Sequence, residues 1–125
     1  MTKFFFIFAG LSGLTGVLMG AFGAHALRSS LDERAMHAFE TGVNYQLTHT
    51  VVLLICCFMI EQWGRQLYLE YAAYGFTGGI LLFSGSLYLI AVTPMKWLGP
   101  VTPLGGLCFI LGWVFLTIAI WRRLS

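Results

Sequence analysis

Charged side chains are scarce in this chain: Asp, Glu, Lys and Arg make up 10% of its 125 residues, where soluble domains carry about 25%. Hydrophobic residues account for 58% and the mean hydropathy is +0.83. A small soluble fold cannot hide so much apolar surface, because small domains leave a large fraction of their surface exposed. The composition excludes a soluble globular domain and predicts one small membrane domain over residues 1–125.

Basic residues are also few, and the seven of them are scattered, so no basic stripe for nucleic acid is present. The cysteines form no metal-binding pattern: Cys56 and Cys57 are adjacent, so on a helix they point about 100° apart. Cys108 stands alone, and His37 and the glutamates around it match no zinc spacing. We expect no metal, no cofactor and no nucleic-acid partner, and interpret the cysteines as small apolar core residues.

Catalytic signatures are missing too. The chain has no nucleophile elbow, no phosphate-binding glycine loop and no paired intramembrane carboxylates. No acidic or basic residue lies deep in an apolar segment, so the usual proton or cation site of a transporter is absent. The sequence therefore predicts a protein that is not an enzyme.

Four long segments contain no charged side chain: Phe4–Leu27, Thr41–Ile60, Tyr71–Met95 and Trp97–Trp121. Each is close to the ~20 residues that cross a bilayer core. The segments predict an all-α, polytopic membrane protein with spans at about 4–27, 43–60, 71–93 and 102–121. The first segment is long for a signal peptide, so we expect it to be a retained helix.

Four spans put both termini on one side of the membrane. The side with the termini and the 61–70 turn carries Lys3, Arg65, Arg122 and Arg123, and the other side carries Arg28, Arg34 and Lys96. Basic residues favour the cytoplasmic side. This small excess predicts cytoplasmic N- and C-termini.

An amphipathic helix is predicted between the first and second spans, over residues 31–42. Ser30 and Glu33 have the spacing of a capping box. Apolar residues recur at four-residue intervals, at Leu31, Ala35, Phe39 and Val43. We expect this helix to lie at the membrane interface and to join the second span through a bend at Gly42.

Glycine is abundant where a soluble helix would avoid it, since it costs up to about 1 kcal/mol in a helix interior. Between membrane helices, glycine lets two backbones approach closely. The predicted packing residues are Gly13, Gly16, Gly20 and Gly23 in the first span, Gly75 and Gly79 in the third, and Gly105 and Gly112 in the fourth. They would pack against another span or against a second copy of the chain.

His49 is the sharpest candidate for chemistry, because it lies in an otherwise apolar span. A histidine there often marks a proton path, ligand or metal, but one that only hydrogen-bonds to a neighbouring helix is the more ordinary case. Other polar residues could wall a cavity with it or simply bond between helices. The candidate polar centre comprises His25, Tyr45, Gln46, His49, Ser84, Ser86 and Tyr88.

Several motifs in order along the chain have a family resemblance. They are Gly20–His25, Tyr45-Gln46 with His49, Phe83–Tyr88, and Thr102–Gly106 followed by Gly112-Trp113. Together they resemble the YgdD/YwdK family of small bacterial inner-membrane proteins of unknown function, which has relatives in mitochondria. The resemblance implies a multi-pass protein of the bacterial inner (plasma) membrane and implies no activity.

Two hypotheses of function follow. The first is a non-enzymatic helix-packing protein that self-associates as a homo-oligomer or joins a membrane-protein assembly through its glycine faces. The alternative is a small channel, carrier or lipid-binding protein whose polar centre is formed by His25, His49 and Tyr88, which must then converge around a cavity. Membrane lipid is an expected partner in both.

Overall fold

The structure, a computed structural model, describes all 125 residues, and every regular element is helical. The helices are α1 (Thr2–Phe22), α2 (Glu33–Trp63), α3 (Leu67–Gly79), α4 (Gly85–Val92) and α5 (Val101–Leu124). A π-helical turn extends α1 over Gly23–Leu27, a second one joins α3 to α4 over Ile80–Ser84, and a 3₁₀ turn at Lys96–Leu98 precedes α5. The all-α prediction is confirmed.

Four continuous helical runs are long and apolar enough to cross a membrane: Thr2–Leu27, Glu33–Trp63, Leu67–Val92 and Lys96–Leu124. Each overlaps one of the four predicted spans. The third run combines α3, its π-helical turn and α4, because the wider turn keeps the chain helical between them.

The separate interfacial helix over residues 31–42 is not confirmed. Asp32 rather than Ser30 caps the helix, since its carboxylate accepts from the Ala35 backbone N–H at 2.7 Å. From there α2 passes through Gly42 without a break. A Cβ at Gly42 would lie 2.8 Å from the Tyr88 ring. The glycine therefore makes room for α4. It does not separate two helices, contrary to the prediction from sequence.

The helix order in space places α2 at the centre. It packs against α1, α3 and α4, while α5 packs against α3 and the π-helical turn that follows it. The core that they enclose contains Phe5, Leu53, Leu69, Phe76 and Phe109, all almost completely buried. Cys56 and Cys57 are fully buried in this core, as expected of small apolar core residues, whereas Cys108 is only partly buried.

Both chain ends lie at one end of the bundle. The Phe5 ring packs edge-on against Tyr74, with ring centroids 5.1 Å apart, and the Arg123 guanidinium lies 5.6 Å from the Trp63 ring. The short turn between α2 and α3 is at this end, which we call the terminal end. The 28–40 segment and Tyr88 lie at the opposite end, where Phe39 and Tyr88 are in ring contact.

Glycines set the separation of α3 and α5. A Cβ at Gly75 would lie 2.9 Å from the Cys108 carbonyl oxygen and from the Gly112 Cα. A Cβ at Gly105 would overlap the backbone nitrogen of Phe83. At these points the two backbones touch directly. Gly79 and Gly112 likewise face Phe109 and Phe76, respectively.

The glycines of α1 face α2 in the same way. A Cβ at Gly16 would lie 2.6 Å from the Leu47 side chain, and one at Gly23 would lie 2.7 Å from the Phe39 ring. Gly13 and Gly20 face Thr50 and Val43 at ordinary contact distances, respectively. All eight glycines predicted to pack thus face another helix of the same chain.

Replacing Gly105 with alanine should destabilise the protein by about 1–3 kcal/mol, the usual range for overpacking. The reason is that the backbone of Phe83, unlike a flexible side chain, cannot move aside alone. The free energy of unfolding in mixed detergent–SDS micelles, followed by helical circular dichroism, measures the loss.

Gly10→Ala is the matched control, since an added Cβ at Gly10 meets nothing within 4 Å. This variant should be as stable as the wild type or slightly more so, because alanine favours helix. Equal stability of the two variants would contradict the assigned role of Gly105.

Candidate functional site

A hydrogen-bonded polar cluster centred on Gln46 joins three helices. Gln46 lies on α2 and is 5% exposed. Its Nε2 donates to the Ser12 carbonyl oxygen at 2.8 Å and to Thr15 Oγ1 at 2.9 Å, both on α1. Its Oε1 accepts from the Tyr88 hydroxyl of α4. Every polar atom of this amide is used between helices.

Ser12 and Thr50 complete the cluster beside Gln46. The two hydroxyl oxygens are 2.7 Å apart, and Thr50 Oγ1 donates to the Gln46 carbonyl oxygen at 2.7 Å. Since the single proton of Thr50 is taken by that carbonyl, the Ser12 hydroxyl donates to Thr50. We call Ser12, Thr15, Gln46, Thr50 and Tyr88 the Gln46 cluster.

His49 is bound on both ring nitrogens, away from the Gln46 cluster. Its Nε2 is 3.1 Å from Trp113 Nε1 on α5, and its Nδ1 is 2.8 Å from the Tyr45 carbonyl oxygen. An indole N–H can only donate, so Nε2 accepts and Nδ1 carries the proton. The geometry thus fixes a neutral histidine in one tautomer.

Aromatic rings surround the imidazole. Its centroid is 3.8 Å from that of Phe109, which stacks on it, and Phe76 and Tyr45 are each 5.7 Å away. With both nitrogens engaged and the ring faces covered, His49 has the environment of a histidine that links helices. No group of three or more His, Cys, Asp or Glu residues is placed to hold a metal ion.

The remaining candidates of the predicted polar centre lie apart from one another. Ser84 Oγ donates to the Gly42 carbonyl oxygen at 2.7 Å, and Ser86 bonds to Thr102 on α5. His25 is exposed on the π-helical turn after α1 and takes part in none of these bonds. The structure does not bring His25, His49 and Tyr88 together, because Tyr88 points to Gln46 and His49 to Trp113.

Sequence reasoning missed the partners on α1 and α5. Ser12 and Thr15 lie on the side of α1 that carries Gly16, so their place beside a glycine row was a usable signal. Trp113 was part of a sequence motif, but nothing in the sequence indicated that it pairs with His49. In the structure Trp113 is 44% exposed and reaches His49 with the edge of its indole ring.

A groove runs along the side of the bundle between α1 and the α3–α4 run, and we call it the lateral groove. Its volume is about 420 Å³, within the range of small-ligand sites. Its walls are mainly apolar, and Ser12, Thr15, Gln46 and Tyr88 form its floor. Gly85 lies on its α4 side, where an added Cβ would meet nothing within 4 Å.

Removing the amide of Gln46 should weaken the contact of α1 and α4 with α2. We expect Gln46→Leu to lower the free energy of unfolding by roughly 1–3 kcal/mol, because it leaves the Tyr88 hydroxyl without its acceptor. A double-mutant cycle with Tyr88→Phe, measured in micelles, should give a coupling of about 0.6–1.7 kcal/mol. Additive effects of the two substitutions would contradict this bond.

The sequence matches a known protein family and several named relatives over most of its length. Residues 19–106 match the family described as protein of unknown function (DUF423). The chain is 36% identical to the UPF0382 membrane protein YwdK of Bacillus subtilis, over 94% of this chain and 95% of that protein. It is 38% identical to the UPF0382 membrane protein SH2409 of Staphylococcus haemolyticus, over 96% and 97% of the two chains.

The UPF0382 inner membrane protein YgdD of Escherichia coli is 33% identical, over 94% of this chain and 88% of that protein. No solved structure matches the chain. The resemblance to the YgdD/YwdK family is confirmed, and so is the membrane class. By the extent of these matches, this chain is a member of the DUF423 family of proteins of unknown function, whose relatives are named UPF0382 membrane proteins.

Proposed function

We propose that this protein is a non-enzymatic membrane protein that acts by association inside the bilayer, with a second copy of itself or within a larger membrane assembly. The observation that carries the proposal is the lateral groove, a concave apolar surface above a polar floor whose donors are already paired. A partner helix can pack into such a surface, whereas a substrate would find few free polar groups to bind.

The pairing of the buried polar groups argues against catalysis and transport. Among buried side-chain nitrogen and oxygen atoms, only Thr77 Oγ1 lacks a partner. The amide of Gln46 and both nitrogens of His49 are bound to other helices. Groups that must relay protons or bind a solute need free donors or acceptors, so these are better suited to fixing the positions of the helices.

Shape complementarity is the main driving force for association between membrane helices, because lipid tails are as apolar as leucine. The eight packing glycines are already used inside the chain, so the glycine faces that first suggested self-association are not free for it. The lateral groove is the surface that remains for close contact, and Gly85 leaves space there.

A lipid acyl chain is the second candidate occupant of the lateral groove. The apolar walls formed by Phe8, Leu11 and Ile80 favour it, and the groove faces the region where lipid tails lie. This version keeps the lipid-binding part of the alternative hypothesis, with Tyr88 in the floor and without His25 or His49.

Gly85→Leu should fill the lateral groove and abolish self-association. Gly10→Leu is its control, because both glycines are in helices, both have open space around an added Cβ, and only Gly85 lines the groove. Native mass spectrometry and crosslinking in lipid nanodiscs should show oligomers for the wild type and Gly10→Leu, and monomers for Gly85→Leu.

Oligomers that persist in the Gly85→Leu variant would place the interface elsewhere. A wild type that is monomeric and retains no other protein on purification would refute association as the function. Loss of a tightly bound lipid in Gly85→Leu alone, with every variant monomeric, would establish the acyl chain as the occupant.

We further propose that both termini are cytoplasmic. Support comes from the basic residues at the terminal end, Lys3, Arg65, Arg122 and Arg123, against Arg28, Arg34 and Lys96 at the opposite end. Each end has one ion pair, Arg65 with Glu70 at the terminal end and Arg28 with Glu40 at the opposite end. The excess of one basic residue at the terminal end is therefore the same whether or not the paired arginines are counted.

Reporter fusions test this orientation. A green fluorescent protein fused to the C-terminus should fluoresce, since that reporter folds only in the cytoplasm, and alkaline phosphatase fused there should be inactive. The same phosphatase inserted between Ser29 and Ser30, at the opposite end, should be active. The reverse pattern would overturn the assignment.

A further inference from the structure

Two arginines at the end of α5 are held against aromatic rings. The Arg122 guanidinium carbon lies 5.3 Å from the centroid of the Tyr68 ring, and that of Arg123 lies 5.6 Å from the Trp63 ring. Both distances are within cation–π range. The rings therefore restrain two long side chains that would otherwise move freely in water.

Neither arginine is neutralised by a carboxylate. The ion pairs of the protein are Arg28 with Glu40 and Arg65 with Glu70. The hydrogen bond to Glu70 raises the pKa of Arg65, and this pairing keeps the nearest carboxylate of α3 occupied. The guanidinium N–H donors of Arg122 and Arg123 remain free for an anion.

These arginines border a cleft between the start of α3 and the end of α5. The cleft has a volume of about 560 Å³ and is lined by Gln66, Leu67, Tyr68, Ala119, Arg122 and Arg123. Arg122 and Arg123 follow Ala119 by about one helical turn, so the basic groups lie nearer the end of the chain. We call it the arginine cleft.

We place the arginine cleft at the depth of the lipid headgroups. It lies where the apolar run of α5 ends, next to Trp121, which is 74% exposed, and to the Trp63 ring. Tryptophan and tyrosine concentrate at this level of a bilayer. A lipid headgroup can therefore enter the cleft directly from the leaflet.

We propose that the arginine cleft binds the phosphate group of an anionic phospholipid. The guanidinium groups of Arg122 and Arg123 donate to the phosphate oxygens in the paired manner that their planar shape allows. Leu67, whose side chain is exposed, contacts the apolar part of the lipid below the headgroup. A zwitterionic lipid binds less well, because its own ammonium group offsets the attraction of the two arginines.

Native mass spectrometry of the full chain in detergent, titrated with phosphatidylglycerol or phosphatidylcholine, tests the proposal. The wild type should bind phosphatidylglycerol more tightly than phosphatidylcholine. Replacing both arginines, Arg122→Gln with Arg123→Gln, should weaken phosphatidylglycerol binding by about tenfold or more, since each interfacial charge contributes appreciably. Binding of phosphatidylcholine should weaken less, because its ammonium group already offsets the attraction of the two arginines.

The matched control removes the same charge at the opposite end, by Arg34→Gln with Lys96→Gln. Neither residue is in an ion pair with a carboxylate, so the control also removes two unpaired charges. Neither residue lines the arginine cleft or lies against an aromatic ring, so this variant should bind phosphatidylglycerol as the wild type does. An equal loss of phosphatidylglycerol affinity in this control would show that the effect depends on net charge alone, and would overturn the proposed site. Equal affinity of the wild type for the two lipids would also overturn it.

Two further arms make the result decisive. Displacement of phosphatidylglycerol by millimolar inorganic phosphate would show a site for free phosphate and would reject the lipid assignment. If the glutamine variant does not fold, Arg122→Lys with Arg123→Lys keeps the charge but loses the paired geometry, and should bind severalfold more weakly. Unchanged affinity in the lysine variant would refute the role of the guanidinium groups.

Discussion

Direct contact between helix backbones is the constraint on which the other features of this structure depend. At Gly75, Gly105 and Gly112 there is no room for a side-chain carbon between α5 and the α3–α4 run. At Gly16 and Gly23 the same holds between α1 and the side chains of α2. In hydrocarbon, helices gain little from burying apolar surface, so the dispersion contacts of such close approach hold them together.

Close approach also explains how the buried polar groups are satisfied. Gln46 reaches the Ser12 carbonyl and Thr15 because Gly16 lets α1 lie directly on α2. Ser84 reaches the Gly42 carbonyl because Gly42 has no side chain to keep α4 away. Since lipid offers no hydrogen-bond partner, each of these bonds avoids an unpaired polar atom as well as fixing how one helix is rotated against the next.

Because the helices pack so closely, surfaces that could bind a partner remain only at the periphery of the bundle. In the interior, every buried side-chain polar atom except Thr77 Oγ1 is hydrogen-bonded, and the eight packing glycines face neighbouring helices. What is left are features of the periphery: an apolar groove between α1 and α4, and a cleft where Arg122 and Arg123 lie against rings of Tyr68 and Trp63. Both are open laterally or at the membrane interface, as the proposed association and lipid binding require.

Composition and periodicity by themselves determined the solvent, the number of long helices, the glycine-bearing sides of the helices, and Gln46 and His49 as polar residues of the second span. These properties depend on residues close together in the chain. The tertiary structure decided which partners they have: Trp113 for His49, Ser12 and Thr15 for Gln46, and other helices of the chain for the glycines. It also decided that α2 continues through Gly42, because a glycine that allows a close contact and one that allows a bend look alike until the neighbouring helix is in place. Partners depend on the rotation and crossing of helices distant in sequence, and no local pattern specifies those.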